Sequence, residues 1–510
     1  MTTDVGHATA TSSAGAAGTR PRVDPVHRAL ATLPLVIVLL LLATVLRYSA
    51  LHLGNQDTWF HLVLGDRFRS GWSLTDPGAL TRFATSEWVP TQWSTQILAS
   101  VAEERFGLPG VAWLFGALFL AFVVVTFTTA RRFGRPAAAA AVTVLVVVGA
   151  APTLSARPQI ISLVLLTVTL GAWLRTAEDG RARWWLVPTT WVWATAHGLW
   201  SAGVLLGLVC WLGLLLDRRV TGRRSLALLA VPVLSLVAAM LTPVGPRLLT
   251  SQLAVSVRTS LIPEWGPTSF RSVPSLAVAL LLAGVVVLWA RRGQVTWTRL
   301  GLLLLAGAWT LLVARMVSLG AVVAAPLLAE ALERALGRSR TGFQPPRSRP
   351  PPRLGRGERL TLASAVVVYL VVLAVAAPRV VDEPDAVPTG LGPRLKALPP
   401  GSAVLVEDGI GGWVEWRAPG VHPVIDGMLD AYPVDYIDDF FAATRLEPGW
   451  RDFITRSGAE TAVVQGRSAL TAALQDQLGW QPVQRDGDWL YLEAPDRGGR
   501  SAPTNDAATP

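Results

Sequence analysis

The chain has 510 residues, 51% of them hydrophobic and 16% charged, with a formal net charge of +10 and a single cysteine, Cys210. Several apolar runs approach the roughly 20 residues that cross a bilayer, which excludes an ordinary soluble enzyme and predicts a polytopic α-helical membrane protein. The lone cysteine excludes a disulfide framework and a Cys-based metal centre, and the basic charge does not point to nucleic acid, because the arginines cluster in short loops between apolar runs, an orientation signal.

Residues 1–28 open the chain with a stretch rich in Ala, Thr, Ser and Gly and read as a disordered cytoplasmic N-terminus. The first apolar run follows Arg20, Arg22 and Arg28. Without a small-residue cleavage site it reads as an uncleaved anchor. Membrane helices are predicted near 30–48, 109–129, 136–152, 158–174, 184–196, 199–216, 224–241, 274–290, 297–313, 316–334 and 359–377, giving a transmembrane domain over 29–377. The 184–216 region reads either as two short helices or as one broken helix. His197-Gly198 falls at the break, and non-helical backbone at membrane depth is tolerated where it lines a cavity.

With the N-terminus in the cytoplasm, every basic connection falls inside: Arg131 to Arg135, Arg175 to Arg183, Arg218 to Arg224, Arg291-Arg292, and the Pro/Arg-rich linker 335–358. Eleven crossings then leave three pieces outside: the first loop 49–108, the segment 242–273, and a tail over 378–497. Ala99 to Phe106 in the first loop reads as an interfacial amphipathic helix. In the tail, Ala403–Val406 and Thr461–Val464 read as buried strands, 434–445 and 468–478 as helices, and Trp480–Leu492 as a hairpin turning at Asp486-Gly487. The fold class expected is therefore a multi-pass helical membrane protein with a small extracytoplasmic α/β domain, followed by a disordered stretch over 498–510.

The chemistry falls on the outer side. Asn55 to Gly65 carries Asp57, Trp59, Phe60 and His61 within seven residues, and Arg157, His197, Glu264 and Arg315 lie on the same side. Ionisable groups at such places cost several kcal/mol unless paired or hydrated, so they are functional candidates. Each also has a plainer reading: Asp57 as a helix N-cap, Arg157 and Arg315 as snorkelling anchors, His197 bonded to a neighbouring carbonyl, Glu264 as a loop acid, and Trp59, Trp72, Trp88 and Trp93 as an interface belt. Snorkelling alone does not explain an acid, a histidine and two arginines on one side. A carboxylate beside a wet cavity can take a proton from a hydroxyl, and arginines can clamp a phosphate. The same carboxylate could instead hold a divalent ion such as Mg or Mn, with only Asp66, Asp76 and Glu87 near in sequence and no compact metal motif.

Asp57-Thr58-Trp59-Phe60-His61-Leu62, followed by Gly65, Gly71, Thr75-Asp76-Pro77, Trp88 and Trp93, resembles the first outer loop of the GT-C superfamily of membrane glycosyltransferases. The Asp-x-Trp-Phe pattern is similar to the catalytic subunit of oligosaccharyltransferase. Arg157-Pro158 opening a helix, the Trp-rich run ending in His197-Gly198, Thr242-Pro243-Val244-Gly245, Glu264-Trp265, and the tail's Gly411-Gly412-Trp413 and Val424-Ile425-Asp426-Gly427 resemble the bacterial relatives. The resemblance spans roughly 30–495. It implies that Asp57 is the base or metal ligand and that the donor is a polyprenyl-phosphate or polyprenyl-diphosphate sugar; the candidate substrate-binding residues beside it are Arg157, His197, Glu264, Arg315, Trp59 and His61. The paired Asp-Glu of protein mannosyltransferases and the Trp-Trp-Asp motif of oligosaccharyltransferase are absent, so the acceptor, whether glycan, lipid or protein, stays open. The activity implied is transfer at the outer face of the cytoplasmic membrane. A flippase for lipid-linked sugars, or a non-catalytic envelope assembly protein, would use the same features. The internal repeats that would favour a transporter are not evident.

Overall fold

The computed structural model describes residues 25–50, 53, 55–251, 265–291, 295–337, 355–381 and 387–495. Glu264, the Pro-rich stretch 345–352 and both chain ends lie outside the described residues. Among the described residues, twelve α-helices precede the tail: α1 Pro25–Ala50, α2 Asp57–Arg69, α3 Trp93–Arg131, α4 Pro136–Ala150, α5 Gln159–Asp179, α6 Leu186–Ala196, α7 Trp200–Leu216, α8 Gly222–Met240, α9 Val273–Ala290, α10 Trp297–Leu312, α11 Val317–Gly337 and α12 Arg356–Val381. All but α2 coincide with the expected crossings. Among the described residues, seven helical segments are long and apolar enough to cross a membrane and three shorter ones are apolar, as a multi-pass membrane protein requires. The eleven residues of α6 reach only about 16 Å.

The 184–216 region is two helices. His197 between them is extended, at φ −166° and ψ 145°. An Arg219 guanidinium N–H donates to the Ala177 carbonyl, and Leu214, Val220 and Leu228 pack with Ala177 and Ala182. Helix α7 therefore returns to the bundle end that α5 reaches, and His197 is the apex of a V at the other end.

Helix α3 differs from the expectation in one respect. The amphipathic helix and the following span form one element that begins at Trp93 and bends at Gly107, whose φ of 66° and ψ of −168° break the helix just before Pro109. Only glycine takes such a conformation without strain. The segment before the bend does not lie free on the membrane surface. It packs along α2, where Arg69 bonds the Ser100 hydroxyl and pairs with Glu104.

The two bundle ends differ in chemistry. One is laced by ion pairs: Arg131 with Glu358, Arg132 with Glu178, Arg135 with Glu333, and Glu330 between Arg299 and Arg334. There the Asp217 carboxylate accepts from the Trp297 and Thr298 backbone N–H groups at the start of α10. The opposite end carries α2, the 155–157 loop, the His197 apex and the Val313–Met316 break between α10 and α11.

The tail forms a five-stranded mixed sheet of β1 Ala403–Val406, β2 His422–Pro423, β3 Thr461–Gln465, β4 Gln481–Asp486 and β5 Trp489–Glu493, in the order β2-β1-β3-β5-β4. β1 runs parallel to both β2 and β3, with Leu405 opposite Ala462, while β5 is antiparallel to β3 and β4. Its helices are α13 Gly392–Ala397, α14 Gly411–Arg417, α15 Val434–Thr444, α16 Trp450–Ser457 and α17 Ala469–Leu478. The strands at 403 and 461, the hairpin, and helices α15 and α17 match expectation; β2, α13, α14 and α16 are additional. The first outer loop is woven onto this tail. The Thr81 hydroxyl donates to the Pro423 carbonyl, Ser86 N–H to the Ala431 carbonyl and Arg82 to the Ser457 carbonyl, while Phe83 stacks on Tyr436 at 5.9 Å.

Candidate active site

Asp57 is the first residue of α2, but it does not cap the helix. That role belongs to Asn55, whose side-chain oxygen accepts from the Asp57 N–H at 3.0 Å and whose carbonyl accepts from the Thr58 N–H. The Asp57 carboxylate instead receives an Arg157 Nη1–H at 2.9 Å. The pair is partly covered, with side-chain exposures of 32% for Asp57 and 14% for Arg157. Arg157 is itself aimed: its Nε–H donates to the Ser155 hydroxyl at 3.0 Å, and the Thr58 hydroxyl donates to the neighbouring Ala156 carbonyl at 3.0 Å. The guanidinium is therefore fixed from both sides, unlike a snorkelling arginine whose head wanders in the headgroup layer.

His61 lies one turn along α2 from Asp57, on the same face. It is buried, and its Nδ1 meets the Gln96 side-chain nitrogen of α3 at 3.0 Å. Burial pushes its pKa down to about 4 against the opposing pull of Asp57, with Arg157 and Arg315 adding to the downward push. Near neutrality His61 is therefore an uncharged hydrogen-bonding group, not a third cation. Helix α2 reaches α3 closely enough for this because residue 65 is glycine: a Cβ there would stand 2.1 Å from the Gln96 carbonyl oxygen.

His197 is held by a relay. Trp193 Nε1–H donates to the Ser162 hydroxyl at 2.7 Å, and that hydroxyl lies 2.8 Å from His197 Nδ1, which also accepts the Leu199 backbone N–H. With two donors on Nδ1, the imidazole proton belongs on Nε2. This is a side-chain and backbone-amide network rather than the carbonyl bond the plainer reading supposed. The Thr95 hydroxyl donates to the Ala196 carbonyl, tying the apex to the start of α3. Arg315 stands in the short 3-10 turn Ala314–Met316, with its guanidinium 5.2 Å from the Trp265 ring centroid. It acts electrostatically on both His61 and His197, as does Arg157.

Asp57, His61, Arg157, His197 and Arg315 thus converge at one end of the bundle, brought there by α2, the turn before α5, the α6–α7 apex and the α10–α11 break. Trp59 faces elsewhere: it is fully buried and packs on Trp416 of the tail at a ring distance of 4.9 Å. Glu264 lies outside the described residues, one position before Trp265. Gln96, Ser162 and Trp193 orient the two histidines; Trp193 lies in the Trp-rich run noted in sequence, whereas Gln96 and Ser162 carried no signal of their own.

The donor set does not fit a divalent ion held by protein ligands. Among the described residues no group of three or more His, Cys, Asp or Glu side chains converges, and a cation at Asp57 would have to displace the Arg157 guanidinium. What the arrangement offers is one carboxylate, two arginines and two imidazoles.

No family model and no curated protein matches the sequence. Among solved structures, the chain is similar to the Archaeoglobus fulgidus oligosaccharyltransferase, at 12% identity and a TM-score of 0.49 over 85% of this chain and 70% of that one. It is also similar to ArnT from Cupriavidus metallidurans, in a structure bound to undecaprenyl phosphate, at 17% identity and a TM-score of 0.49 over 91% and 98% of the two chains.

Proposed function

We propose that the chain is a GT-C-type glycosyltransferase that moves a sugar from a polyprenyl-phosphate donor to a hydroxyl-bearing envelope acceptor at the outer face of the cytoplasmic membrane. The observation that carries the reading is the aimed Asp57–Arg157 pair at the mouth of the helix bundle, on residues whose sequence pattern resembles the first outer loop of that superfamily. The acceptor oxygen attacks the sugar's anomeric carbon, and Asp57 takes the acceptor proton. The bond between that carbon and the donor phosphate breaks, and the lipid phosphate leaves with the electron pair. Arg157 and Arg315 stabilise its charge.

The pairing seen here has a role in this cycle. A guanidinium has five N–H donors; Ser155 and Asp57 account for one each in the contacts above. A donor phosphate drawn into the bidentate arrangement arginine favours competes with Asp57 for Arg157 and frees the carboxylate to accept a proton. The base is thus uncovered when the donor is bound. His61 and His197, neutral and fixed in orientation, supply hydrogen bonds to sugar hydroxyls without adding charge.

The test is a deletion strain scored for loss of one envelope glycan, lipid or protein glycoform, complemented with wild type, Asp57→Asn and Arg157→Lys. Asp57→Asn keeps the shape but removes the proton acceptor, and should lower turnover by about 10²-fold or more with donor binding retained. Arg157→Lys keeps the charge but loses the planar fork, and should act mainly on donor affinity. Full complementation by Asp57→Asn would sink the assignment.

A further inference from the structure

Helix α14 of the tail packs against the site helix α2. Helix α14 opens with Gly411-Gly412, and both glycines are contact points. A Cβ on Gly411 would stand 1.8 Å from the Ile425 carbonyl oxygen, and one on Gly412 would stand 2.9 Å from the Phe60 backbone nitrogen. Just before the helix, a Cβ on Gly409 would meet the Gln56 side chain at 2.2 Å. The tail backbone therefore presses on residues 56 and 60, on either side of Asp57. At its far end, α14 places Trp416 against Trp59, ring centroids 4.9 Å apart.

Between these contacts, α14 carries Glu415, only 5% exposed, and packs on the 2%-exposed Asp426 of the loop after β2, a Cβ on Gly411 standing 2.7 Å from the Asp426 Cα. Asp426 accepts the Met428 N–H at 2.8 Å and interacts with the Tyr432 hydroxyl. The charged or titratable groups acting on this pair are Arg67 from α2 and Tyr432, with Tyr436 acting on Tyr432 in turn. Burial pushes the Glu415 carboxyl well up and Asp426 up to about 6, each reinforced or moderated by the other. Two carboxyls buried together do not both ionise, so near neutrality one proton stays on the pair. An apolar pair of similar size would serve simple stability as well or better.

We propose that α14, latched by the Glu415–Asp426 carboxyl pair, is a positioning element for the active site: it holds the first turns of α2, and with them Asp57, at the orientation the reaction needs. The inference rests on the reading of Asp57 as the base. It makes Glu415 and Asp426 positioning residues, acting through Gly412 and Trp416 on α2. It also makes the tail a working part of the site, with no substrate contact required of it.

The test uses the full chain in lipid nanodiscs, with two readouts. The first is hydrogen exchange of the amides in 56–64, which needs no activity. The second is turnover against pH. Glu415→Leu removes the latch while keeping apolar volume, and Gly412→Ala presses on Phe60 directly. Both should speed exchange at 56–64 by about tenfold and lower kcat by about 10²-fold with donor KM unchanged. Protection of the tail strands 403–406 and 461–465 should stay as in wild type, showing that the tail is still folded. Glu415→Gln keeps a neutral donor to Asp426 and should recover most of the kcat lost in Glu415→Leu. It should also flatten the wild-type fall in turnover on the alkaline side, where the shared proton is lost. Wild-type exchange at 56–64 in both Glu415→Leu and Gly412→Ala would overturn the proposal. Loosened exchange in these variants alongside full turnover in Asp57→Asn would uphold the clamp and remove the catalytic role of Asp57, so the two failures are distinguishable.

Discussion

At the scale of single residues, the site divides into groups that offer chemistry and groups that aim them. Asp57 was visible in sequence because an acid beside aromatics at the mouth of an apolar helix is costly without a purpose. Arg157 was a candidate too, but its pairing was not legible, since nothing in a linear chain says that a residue a hundred positions away shares the Asp57 carboxylate. The capping alternative is resolved by Asn55, and this gives a clean contrast. Asn55→Ala should cost about 1 kcal/mol of stability with little direct effect on the chemistry, whereas Asp57→Asn should leave stability nearly unchanged and remove turnover. Thermal unfolding of both variants in one detergent, beside an activity assay, checks the pair. His61 carries a pH signature. Its folded pKa of about 4 lies below the ordinary 6.5, so between those values the unfolded chain binds a proton that the folded chain does not. Stability is therefore complete above about pH 6.5 and is lost as the pH falls toward 4. His61→Gln should reduce that acid-side slope, read as the melting temperature between pH 4 and 7. A slope unchanged by the substitution would mean that His61 is not buried as described.

At the scale of elements, apolar periodicity and length gave the membrane helices, but not the bend at Gly107 that joins the first-loop helix and the following span into α3. The arginine-rich loops put the helix ends that carry the site on one side, but sequence could not give which side chains touch there. The α6–α7 apex, the α10–α11 break and the turn before α5 form one site only because short helices return the chain to the same end of the bundle. Helix α14 was missed for a related reason: seven residues are too few for a periodic signal, and its glycines mark close approach to a distant helix instead of a turn. The α2–α3 contact shows how narrow such tolerances are. At Gly65 a side chain would drive into the Gln96 carbonyl. Gly65→Val should therefore separate the two helices, break the His61–Gln96 bond and cost several kcal/mol, in the range of severe overpacking. Gly71→Ala, a position with no neighbour within 4 Å but with φ at +104°, should cost only the backbone strain of about 1–2 kcal/mol. If the two variants lose equal stability, the close approach at Gly65 is not what the glycine is for.

At the scale of the whole molecule, the question is how far the tail is a separate domain. Its sheet has an apolar interior of its own, with Val404, Leu405, Val463, Tyr491 and Leu492 buried across β1, β3 and β5, and Phe440 and Phe453 packed edge to face at 6.1 Å between α15 and α16. Strand–helix alternation made this core legible in sequence. The contacts made by Phe83, Arg82 and Trp416 were not legible, because they join the tail to a loop more than three hundred positions earlier. The chain topology can be tested directly: a reporter fused after Arg356 should read cytoplasmic and one fused after Leu492 extracytoplasmic, and matching sides would break the eleven-crossing arrangement. The tail's independence has a graded expectation. Expressed alone, residues 387–495 keep the sheet core but expose Trp416 and the Gly411-Gly412 face, and they lose Phe83 from its stack on Tyr436. The fragment should still unfold in one cooperative transition, because the strands and α15–α17 bury one another. Its midpoint should lie below that of the tail in the full chain, since several buried aromatic contacts, each about 0.5–1.5 kcal/mol beyond area burial, are gone. Extending the fragment cannot restore them, because Trp59 and Phe83 come from the first outer loop. Adding a peptide covering 70–92 in trans should raise the midpoint, through Arg82, Phe83 and Ser86 returning to their places on the 401, 436 and 431 segments. A fragment without any cooperative transition would mean that the tail is built on α2 and the loop, and that the outer half of the molecule is a single folding unit.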